Sequence, residues 1–283
     1  MLFLNALLGA LMAGSTPLLW TPDTLSTAAY ESSPIFSPDG REMYFFRADP
    51  GFSRYSLAWA KCTNGAWQEQ EPLPFSLPAP ISESDPFMSA DGRRLYFIST
   101  RTENGGNKED FDIWYADRDE TGVWSTAARL PEPVNSTASE LLPRASADGG
   151  LLFGSDREGG YGGQDIYTAH EKADGRWAVE NLGPPMSSRA NDYEADMSPD
   201  GTRIVVVSDR SGRSHLHLFG LQDNVWTADG MVPARDEVFQ VGPLFSPLGE
   251  KLLFAQALPE RSGEFFVWSL KPGSAEIWPP HCP

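Results

Sequence analysis

The tetrapeptide Ser37-Pro38-Asp39-Gly40 recurs, with small changes, four more times along this chain of 283 residues. The later copies are Ser89-Ala90-Asp91-Gly92, Ser146-Ala147-Asp148-Gly149, Ser198-Pro199-Asp200-Gly201 and Ser246-Pro247-Leu248-Gly249. Their glycines follow one another at intervals of 52, 57, 52 and 48 residues. This order favours a type I turn, because proline presets φ, the Asp side chain bonds the backbone and glycine accepts a positive φ. Each copy is therefore predicted to close a β-hairpin.

The segment after each turn is apolar at consecutive positions, as in Met43-Tyr44-Phe45-Phe46 and Ile204-Val205-Val206-Val207. A strand with one wet face would alternate, whereas a strand buried on both faces would not. A third strand follows, such as Asp112-Ile113-Trp114-Tyr115. A fourth strand is marked in successive repeats by Trp67, Trp124, Trp177, Trp226 and Trp278.

Four antiparallel strands in each of five repeats predict an all-β fold, a five-bladed β-propeller. The repeats lie near residues 31–80, 83–135, 140–188, 192–235 and 240–279, within a single domain that spans 16–283. The segment 20–30 resembles the end of another blade. It either takes the fourth-strand position of the last blade, so that the C-terminal tail packs elsewhere, or it adds an outer edge.

The first fifteen residues form an apolar run that is too short to cross a bilayer and ends in small residues. They are predicted to be a cleaved export signal, although no Lys or Arg precedes Arg41; the alternative is an extra apolar strand or helix packed on the fold. The formal net charge of −17 argues against a nucleic-acid partner, which needs clustered basic side chains. We expect no membrane insertion and a periplasmic or secreted location.

Glu83-Ser-Asp-Pro-Phe-Met-Ser-Ala-Asp-Gly-Arg-Arg-Leu-Tyr-Phe-Ile-Ser, followed by Asp112-Ile-Trp, resembles the WD40-like propeller repeat of the TolB type. The stretch 152–167 is similar to the same repeat in bacterial envelope proteins that also carry a peptidoglycan-binding domain. The resemblance runs from about Glu31 to Leu270. It implies a binding or scaffolding module of the periplasm, and it makes six blades the alternative count. It is specific for the fold and a poor guide to function.

An acidic or polar residue stands nine positions before each turn glycine: Glu31, Glu83, Glu140, Asp192 and Gln240. Two positions further on come Ser33, Asp85, Leu142, Glu194 and Gly242. Because the innermost strands of a propeller line its channel, we expect a mostly acidic ring near one mouth. Since the acid recurs in almost every repeat, a structural role is favoured over catalysis, which breaks symmetry.

The alternative is a carboxylate cluster that cleaves glycans or binds Ca²⁺. Its candidate catalytic residues are Glu31, Glu83, Asp85, Asp192 and Glu194. Otherwise no metal and no cofactor are expected.

Arginines recur after the second strands, at Arg101, Arg157 and Arg210, and are predicted to pair with the acid of a neighbouring repeat. Cys62 and Cys282 either form a disulfide that ties the tail to the first blade, which requires an oxidising compartment, or remain free thiols.

The leading functional hypothesis is a non-enzymatic exported propeller, a monomer, that binds a protein, peptide or glycan of the cell envelope. The runner-up is a glycoside hydrolase or lyase, and a third class is a scaffold within a larger assembly. Binding is expected on the face that carries loops 102–110 and 158–164. The predicted binding residues are Glu31, Glu83, Glu140, Asp192, Tyr161 and Tyr193, with Phe52 as a further aromatic contact.

Overall fold

The computed structural model describes residues 16–145, 150–234, 238–258 and 261–282. Within these ranges the chain forms β-strands and connecting turns and contains no α-helix, so the all-β prediction is confirmed. The predicted export signal and the third turn, at 146–149, lie outside the described residues.

Twenty strands follow one another along the chain. The first ten are β1 (Leu18–Leu19), β2 (Tyr30–Phe36), β3 (Glu42–Ala48), β4 (Tyr55–Thr63), β5 (Ala66–Glu69), β6 (Glu83–Met88), β7 (Arg94–Arg101), β8 (Asn107–Asp117), β9 (Ala128–Arg129) and β10 (Glu140–Ala145). The second ten are β11 (Leu151–Ser155), β12 (Asp165–Glu171), β13 (Trp177–Asn181), β14 (Asp192–Met197), β15 (Arg203–Ser208), β16 (His215–Gln222), β17 (Val225–Met231), β18 (Gln240–Phe245), β19 (Lys251–Leu258) and β20 (Arg261–Ser269).

The strands pair as antiparallel units of four, as in propeller blades. Three units are separate sheets: β6–β9, β10–β13 and β14–β17. The other two, β2–β5 and β18–β20 with β1, belong to one mixed eight-stranded sheet. Within the described strands, a parallel bridge between Tyr30 and Gly263 joins these two units.

The first strand of each unit contacts the first strand of the next, in the order β2, β6, β10, β14 and β18. Strand β18 in turn contacts β2, so the first strands surround a common central space. Each runs from the end that carries its acid or glutamine to the end that carries its turn.

The turn prediction is confirmed in the four copies that the structure describes. In each, the glycine N–H donates to the carbonyl of the serine three residues earlier, at 2.8–2.9 Å. The glycine φ is close to +70°, as at Gly40 and Gly92, which explains the glycine at this position. The Ser37 hydroxyl also donates to Asp39 and accepts from the N–H of Glu42, which closes the hairpin.

The second strands are buried on both faces, as their unbroken apolar runs predicted. Equivalent central side chains have no exposed surface, and they are Phe45, Phe97, Phe153, Val206 and Phe254. They belong to clusters of buried apolar residues packed within and between neighbouring sheets. Burial between sheets accounts for a pattern that a half-exposed strand would not show.

The first strands are interrupted by a bulge. In four of them a residue with positive φ precedes a proline: Ser33, Asp85, Leu142 and Gly242. Proline cannot donate to the ladder, so it sits where pairing is already broken. In the fourth repeat the bulge lies between Asp192 and Glu194, with no proline.

The N-terminal strand β1 completes the last unit. Leu18 and Leu19 pair with Val267 and Phe266, and the Trp20 N–H donates to the Phe265 carbonyl at 2.9 Å. Of the two arrangements left open by the sequence, this is the one in which the tail packs elsewhere.

The tail crosses to the first unit, where the side chain of Trp278 meets that of Phe36 edge to face at 6.3 Å and Cys282 is disulfide-bonded to Cys62. The fourth-strand position predicted for Trp278 is therefore wrong. The two prolines that follow it lack the N–H groups that a ladder needs. The prediction for Trp124 holds only as an isolated bridge to Arg118, because strand β9 begins four residues later.

Candidate functional site: an aromatic cavity with an acidic floor

The four acids predicted to line the channel mouth are buried and paired with arginine. Each has at most 1% of its surface exposed. The pairs are Glu31 with Arg47 (3.1 Å), Glu83 with Arg101, Glu140 with Arg157 (2.9 Å) and Asp192 with Arg210 (2.5 Å). These carboxylates are therefore held inside the repeats and do not form the open acidic ring that the sequence suggested.

Each arginine belongs to the same repeat as its acid, not to a neighbouring one as predicted. The Arg157 guanidinium shows the pattern, because it also donates to Ser155 Oγ and to the carbonyls of Pro133 and Val134. Arg101 and Arg210 repeat these contacts with Ser99 and Ser208. The Ser-x-Arg pattern thus ties the second strand to the first strand and to the preceding loop.

Burial raises the pKa of Glu140, and hydrogen bonds from Ser136 and the charge of Arg157 oppose this shift. Burial likewise raises the pKa of Glu31, against Thr27 and Arg47. Acids in such pairs serve the fold, because their oxygens are already engaged.

Two acids located two positions further along their strands reach the central space. Asp85 accepts a hydrogen bond from Ser33 Oγ at 2.8 Å and a longer one from the Leu142 N–H at 3.4 Å. Glu194 Oε2 accepts a bond from the Gly242 N–H at 2.6 Å. Each acid is therefore anchored to the bulge of an adjacent repeat, which fixes its position.

Arg144 and Asp196 lie close to these two acids on the central strands. Arg144 is 3% exposed, donates to the Pro243 carbonyl at 2.9 Å, and has its Nε 3.7 Å from Asp196 Oδ1. Asp196 also accepts a bond from the Phe245 N–H at 2.6 Å. The cluster therefore combines three carboxyl groups with one guanidinium.

This imbalance appears in the protonation of the acids. Burial, followed by the charge of Asp85, raises the pKa of Glu194 to about 8. Burial also raises the pKa of Asp85, and it raises the pKa of Asp196 to about 6. Burial lowers the pKa of Arg144, although the three acids oppose the shift. Two ionised carboxylates at the centre are unfavourable, so Glu194 is largely protonated at neutral pH.

A cavity of about 370 Å³ opens above Asp85 and Glu194. Its walls are mainly aromatic, formed by Tyr30, Phe46, Phe52, Tyr55, Phe111, Tyr193 and Phe239. Ser84 and Ser214 add hydroxyl groups. The lining comes from the starts of the first strands and from the segments beside them, at the end of the channel opposite the turns.

The rings brace one another. Tyr30 stacks on Phe239 with ring centroids 5.2 Å apart, and it meets Phe52 at 5.0 Å. Tyr55 meets Phe111 edge to face at 5.9 Å. Such contacts hold the walls in place before any ligand arrives.

The Tyr30 hydroxyl has no hydrogen-bond partner among the described residues, although Tyr30 is only 1% exposed. Burial, and then the charge of Glu194, raises the pKa of this phenol. A buried hydroxyl usually has a partner, so an unpaired one that borders a cavity is a position where a ligand can bond.

Of the predicted aromatic contacts, Phe52 and Tyr193 line the cavity. Tyr161 does not belong to this lining; it is 55% exposed and lies beside Gly183. The predicted loop 102–110 is shorter than expected, because β8 begins at Asn107.

The sequence prediction missed several residues of the site that break the repeat. The residue before each first-strand acid or glutamine is Tyr30, Ser82, Ser139, Asn191 or Phe239, so it is aromatic in the first and last repeats only. Likewise Arg144 and Asp196 occupy a position that is apolar in the other three repeats. Departures from the repeat were the signal that could have located the site.

No group of three or more His, Cys, Asp or Glu side chains in the described ranges could hold a metal ion. Across the same ranges, no helix is long and apolar enough to span a bilayer.

Comparison with known proteins supports the fold. No protein-family profile matches the chain, and no curated protein sequence matches it. Among solved structures, TolB from Acinetobacter baumannii superposes with a TM-score of 0.53 and 18% identity over 88% of this chain. This chain spans only 56% of that TolB chain.

A structure described as a glycoside hydrolase gives a TM-score of 0.60 and 13% identity over 95% of both chains. Zg3597, a family 117 glycoside hydrolase from Zobellia galactanivorans, gives 0.58 and 11% identity over 90% of this chain and 89% of its own. At these identities the likeness concerns architecture: the chain has a TolB-like β-propeller fold, shared by TolB structures and glycoside hydrolases.

Proposed function

We propose that this protein is an exported five-bladed propeller that binds a protein, peptide or glycan of the cell envelope in the aromatic cavity. The observation that carries the proposal is the preformed cavity itself, with braced rings, two anchored acids and the unpaired Tyr30 hydroxyl. Concave, mostly apolar sites with a few convergent polar groups are typical of ligand binding.

The five-blade count is supported by the contacts between successive first strands and by the return of β18 to β2. We treat the mixed sheet as two blades of a single domain after residue 15, joined where Gly263 lets Tyr30 approach closely. Export to the periplasm or beyond is supported by the disulfide between Cys62 and Cys282, which persists in oxidising compartments. We propose a monomer.

A non-catalytic role is supported by the engagement of the recurrent acids. Glu31, Glu83 and Asp192, three of the five alternative catalytic candidates, form ion pairs with arginines of their own repeats. A general acid or base needs access to the reacting atom. Only Asp85 and Glu194 retain such access.

One observation favours a second candidate, a carbohydrate-active enzyme that uses Asp85 and Glu194. The pKa of Glu194 is raised to about 8, as suits a general acid, while Asp85 stands close enough for its charge to contribute to that shift. Aromatic walls also suit sugar rings. The glycoside hydrolase neighbours share the fold and carry no argument about residues.

The test combines binding and turnover. Immobilised wild-type protein, Phe239→Ala and Tyr161→Ala are compared for capture of ligands from the periplasmic and envelope fractions. We expect Phe239→Ala to lose the captured ligand and Tyr161→Ala to retain it. The opposite result would assign binding to the exposed loop and overturn the assignment to the cavity.

The same proteins are incubated with a panel of envelope and plant polysaccharides. Turnover that Asp85→Asn and Glu194→Gln abolish, with folding intact, would establish the enzyme in place of the binding module. Absence of turnover together with cavity-dependent capture is the result expected from the leading proposal.

A further inference from the structure

We infer that the group bound in the aromatic cavity is an alkylammonium ion, such as the end of a lysine side chain or of a free diamine. The inference rests on the proposed binding function and specifies its ligand class. Four observations support it: the charge of the floor, the character of the walls, the unpaired hydroxyl and the size of the space.

The floor of the cavity has an excess of acid. Asp85 and Glu194 both line it, and each already has a backbone or hydroxyl donor that fixes its orientation. The nearby cation, Arg144, is itself buried and occupied by Asp196 and by the Pro243 carbonyl. A cationic ligand would therefore supply charge that the cluster lacks.

The walls of the cavity present ring faces and edges. The faces of phenylalanine and tyrosine attract ammonium groups through their quadrupole, and the attraction grows when the group is desolvated. Phe239, Phe52 and Tyr193 border the same space as the two acids. A positive group near the floor can therefore meet carboxylate oxygens on one side and rings on the other.

The Tyr30 hydroxyl provides a further acceptor on the side of Glu194, whose charge reaches it. A primary ammonium has three N–H donors and no acceptor. Asp85, Glu194 and the Tyr30 oxygen provide three acceptors for it. A ligand of this class would pair the hydroxyl that the described residues leave unpaired.

The size and polarity of the cavity suit an alkyl chain better than a sugar. About 370 Å³ accommodates a chain of several methylene groups, and Ile98, Leu141 and Val241 extend the apolar wall. The described lining residues include no Arg, Lys, His, Asn or Gln. Those side chains would be needed to donate to the many hydroxyl groups of a sugar.

Proton release provides an independent signature. The groups that face Glu194 are Asp85 from β6, Arg144 from β10, Tyr30 from β2 and Tyr55 from β4, with Tyr193 adjacent on its own strand. A bound cation favours the ionised carboxylate, so an ammonium ligand displaces the proton that Glu194 holds at neutral pH. Affinity should therefore rise from about pH 6 to about pH 8.5, while the amine remains charged.

The experiment is isothermal titration of the intact, oxidised protein with 1,5-diaminopentane and with Nα-acetyl-lysine methylamide. Matched neutral ligands are 1,5-pentanediol and the Nε-acetylated lysine derivative, and tetramethylammonium tests a cation that cannot donate. Binding by the diamine alone would identify a free amine as the source, whereas binding by both would point to lysine in a peptide. We expect the neutral partners to bind at least about tenfold more weakly, as the loss of charge-assisted bonds predicts.

Three variants locate the effect. Glu194→Gln should weaken amine binding by about tenfold or more, and Phe239→Leu by about threefold to thirtyfold. Glu180→Gln, an exposed acid on β13, should leave it unchanged. Circular dichroism and thermal melting verify that each variant is folded, and titration in buffers of different ionisation enthalpy measures the released proton.

Two outcomes would overturn the inference. Equal affinity for 1,5-pentanediol, or no amine binding at millimolar concentration, would exclude an ammonium ligand. Should a neutral oligosaccharide or uncharged peptide bind instead, with affinity lost in Phe239→Leu, the binding function would stand and only the ligand class would fall. Amine binding that both cavity variants leave intact would remove the cavity as the site.

Discussion

The rings of Tyr30 and Phe239 stack with their centroids 5.2 Å apart and their planes 14° from parallel. Tyr30 begins the first strand of the first unit, and Phe239 immediately precedes the first strand of the last unit. The stack therefore spans the junction at which the two ends of the repeat array meet. It makes the cavity asymmetric, because no other repeat has an aromatic residue at this position.

Glycine at position 263 is required by the Tyr30 ring. A Cβ on Gly263 would fall within the ring atoms of Tyr30, whose own position is fixed by Phe239 and Phe52. We expect Gly263→Ala to lower the free energy of unfolding by about 1–3 kcal/mol, the usual cost of overpacking, and to weaken ligand binding in the cavity. Urea denaturation of the oxidised protein measures the first effect.

Gly220→Ala is the matched control. Gly220 also lies in a strand, and the nearest atom to its Cβ would be Asp229 Oδ2 at 4.0 Å. This variant should differ from wild type by no more than about 0.5 kcal/mol. Equal stability of the two alanine variants would show that the ring has room to move.

The buried acids should make stability depend on pH. In the folded state the pKa of Glu194 is about 8 and that of Asp196 about 6, above their ordinary values of 4.5 and 3.8. Between about pH 5 and about pH 8 the folded protein therefore holds more protons than the unfolded chain, so the free energy of unfolding should fall as pH rises.

Glu194→Gln removes part of that dependence, so its stability should change less than that of wild type across the same range. Urea unfolding at a series of pH values measures both slopes, and Glu180→Gln should retain the wild-type slope. A Glu194→Gln slope as steep as that of wild type would mean that Glu194 is ionised throughout the range.

The ion pair of Glu83 and Arg101 is predicted to serve stability and not binding. Both side chains are buried, and burial lowers the pKa of Arg101 to about 10. Arg101→Met would strand a buried carboxylate and should cost about 3–5 kcal/mol. The double variant Glu83→Gln/Arg101→Met should recover part of this loss, because no charge is then left unpaired.

The exposed pair of Arg176 and Asp174 provides the control, since Arg176 has 80% of its side chain exposed. Arg176→Met should change stability by less than about 1 kcal/mol. Ligand affinity should be unaffected by the double variant. Loss of binding in a stable Glu83→Gln/Arg101→Met protein would return Glu83 to the site.

The disulfide is expected to contribute strongly to stability. It links residues 220 positions apart and holds the tail against the first unit. Cys62→Ser/Cys282→Ser should lower the free energy of unfolding by about 2–5 kcal/mol, because the unfolded chain regains its freedom. Reduced wild type should match the double variant.

Equal midpoints for oxidised and reduced protein in urea would contradict that expectation. In that case the buried Trp278 and the bonds from the Lys251 ammonium to the Glu276 and Trp278 carbonyls would hold the tail without help.

The repeat alone was sufficient to predict the local structure. Ser-Pro-Asp-Gly determines a turn through the chemistry of its own four residues, and an unbroken apolar run such as 204–207 indicates burial on both faces. These properties depend on neighbours in sequence, so they can be read before the chain is folded.

Tertiary structure decided what each recurrent polar residue does. Glu83 and Asp85 are two positions apart on one strand, yet Arg101 sequesters the first, while the bulge brings the second to the cavity beside Glu194. The tail was assigned to a strand because Trp278 fits the repeat, whereas β1 occupies that place from the other end of the chain. Pairing partners and exposure depend on residues tens to hundreds of positions away, and spacing within one repeat contains no record of them.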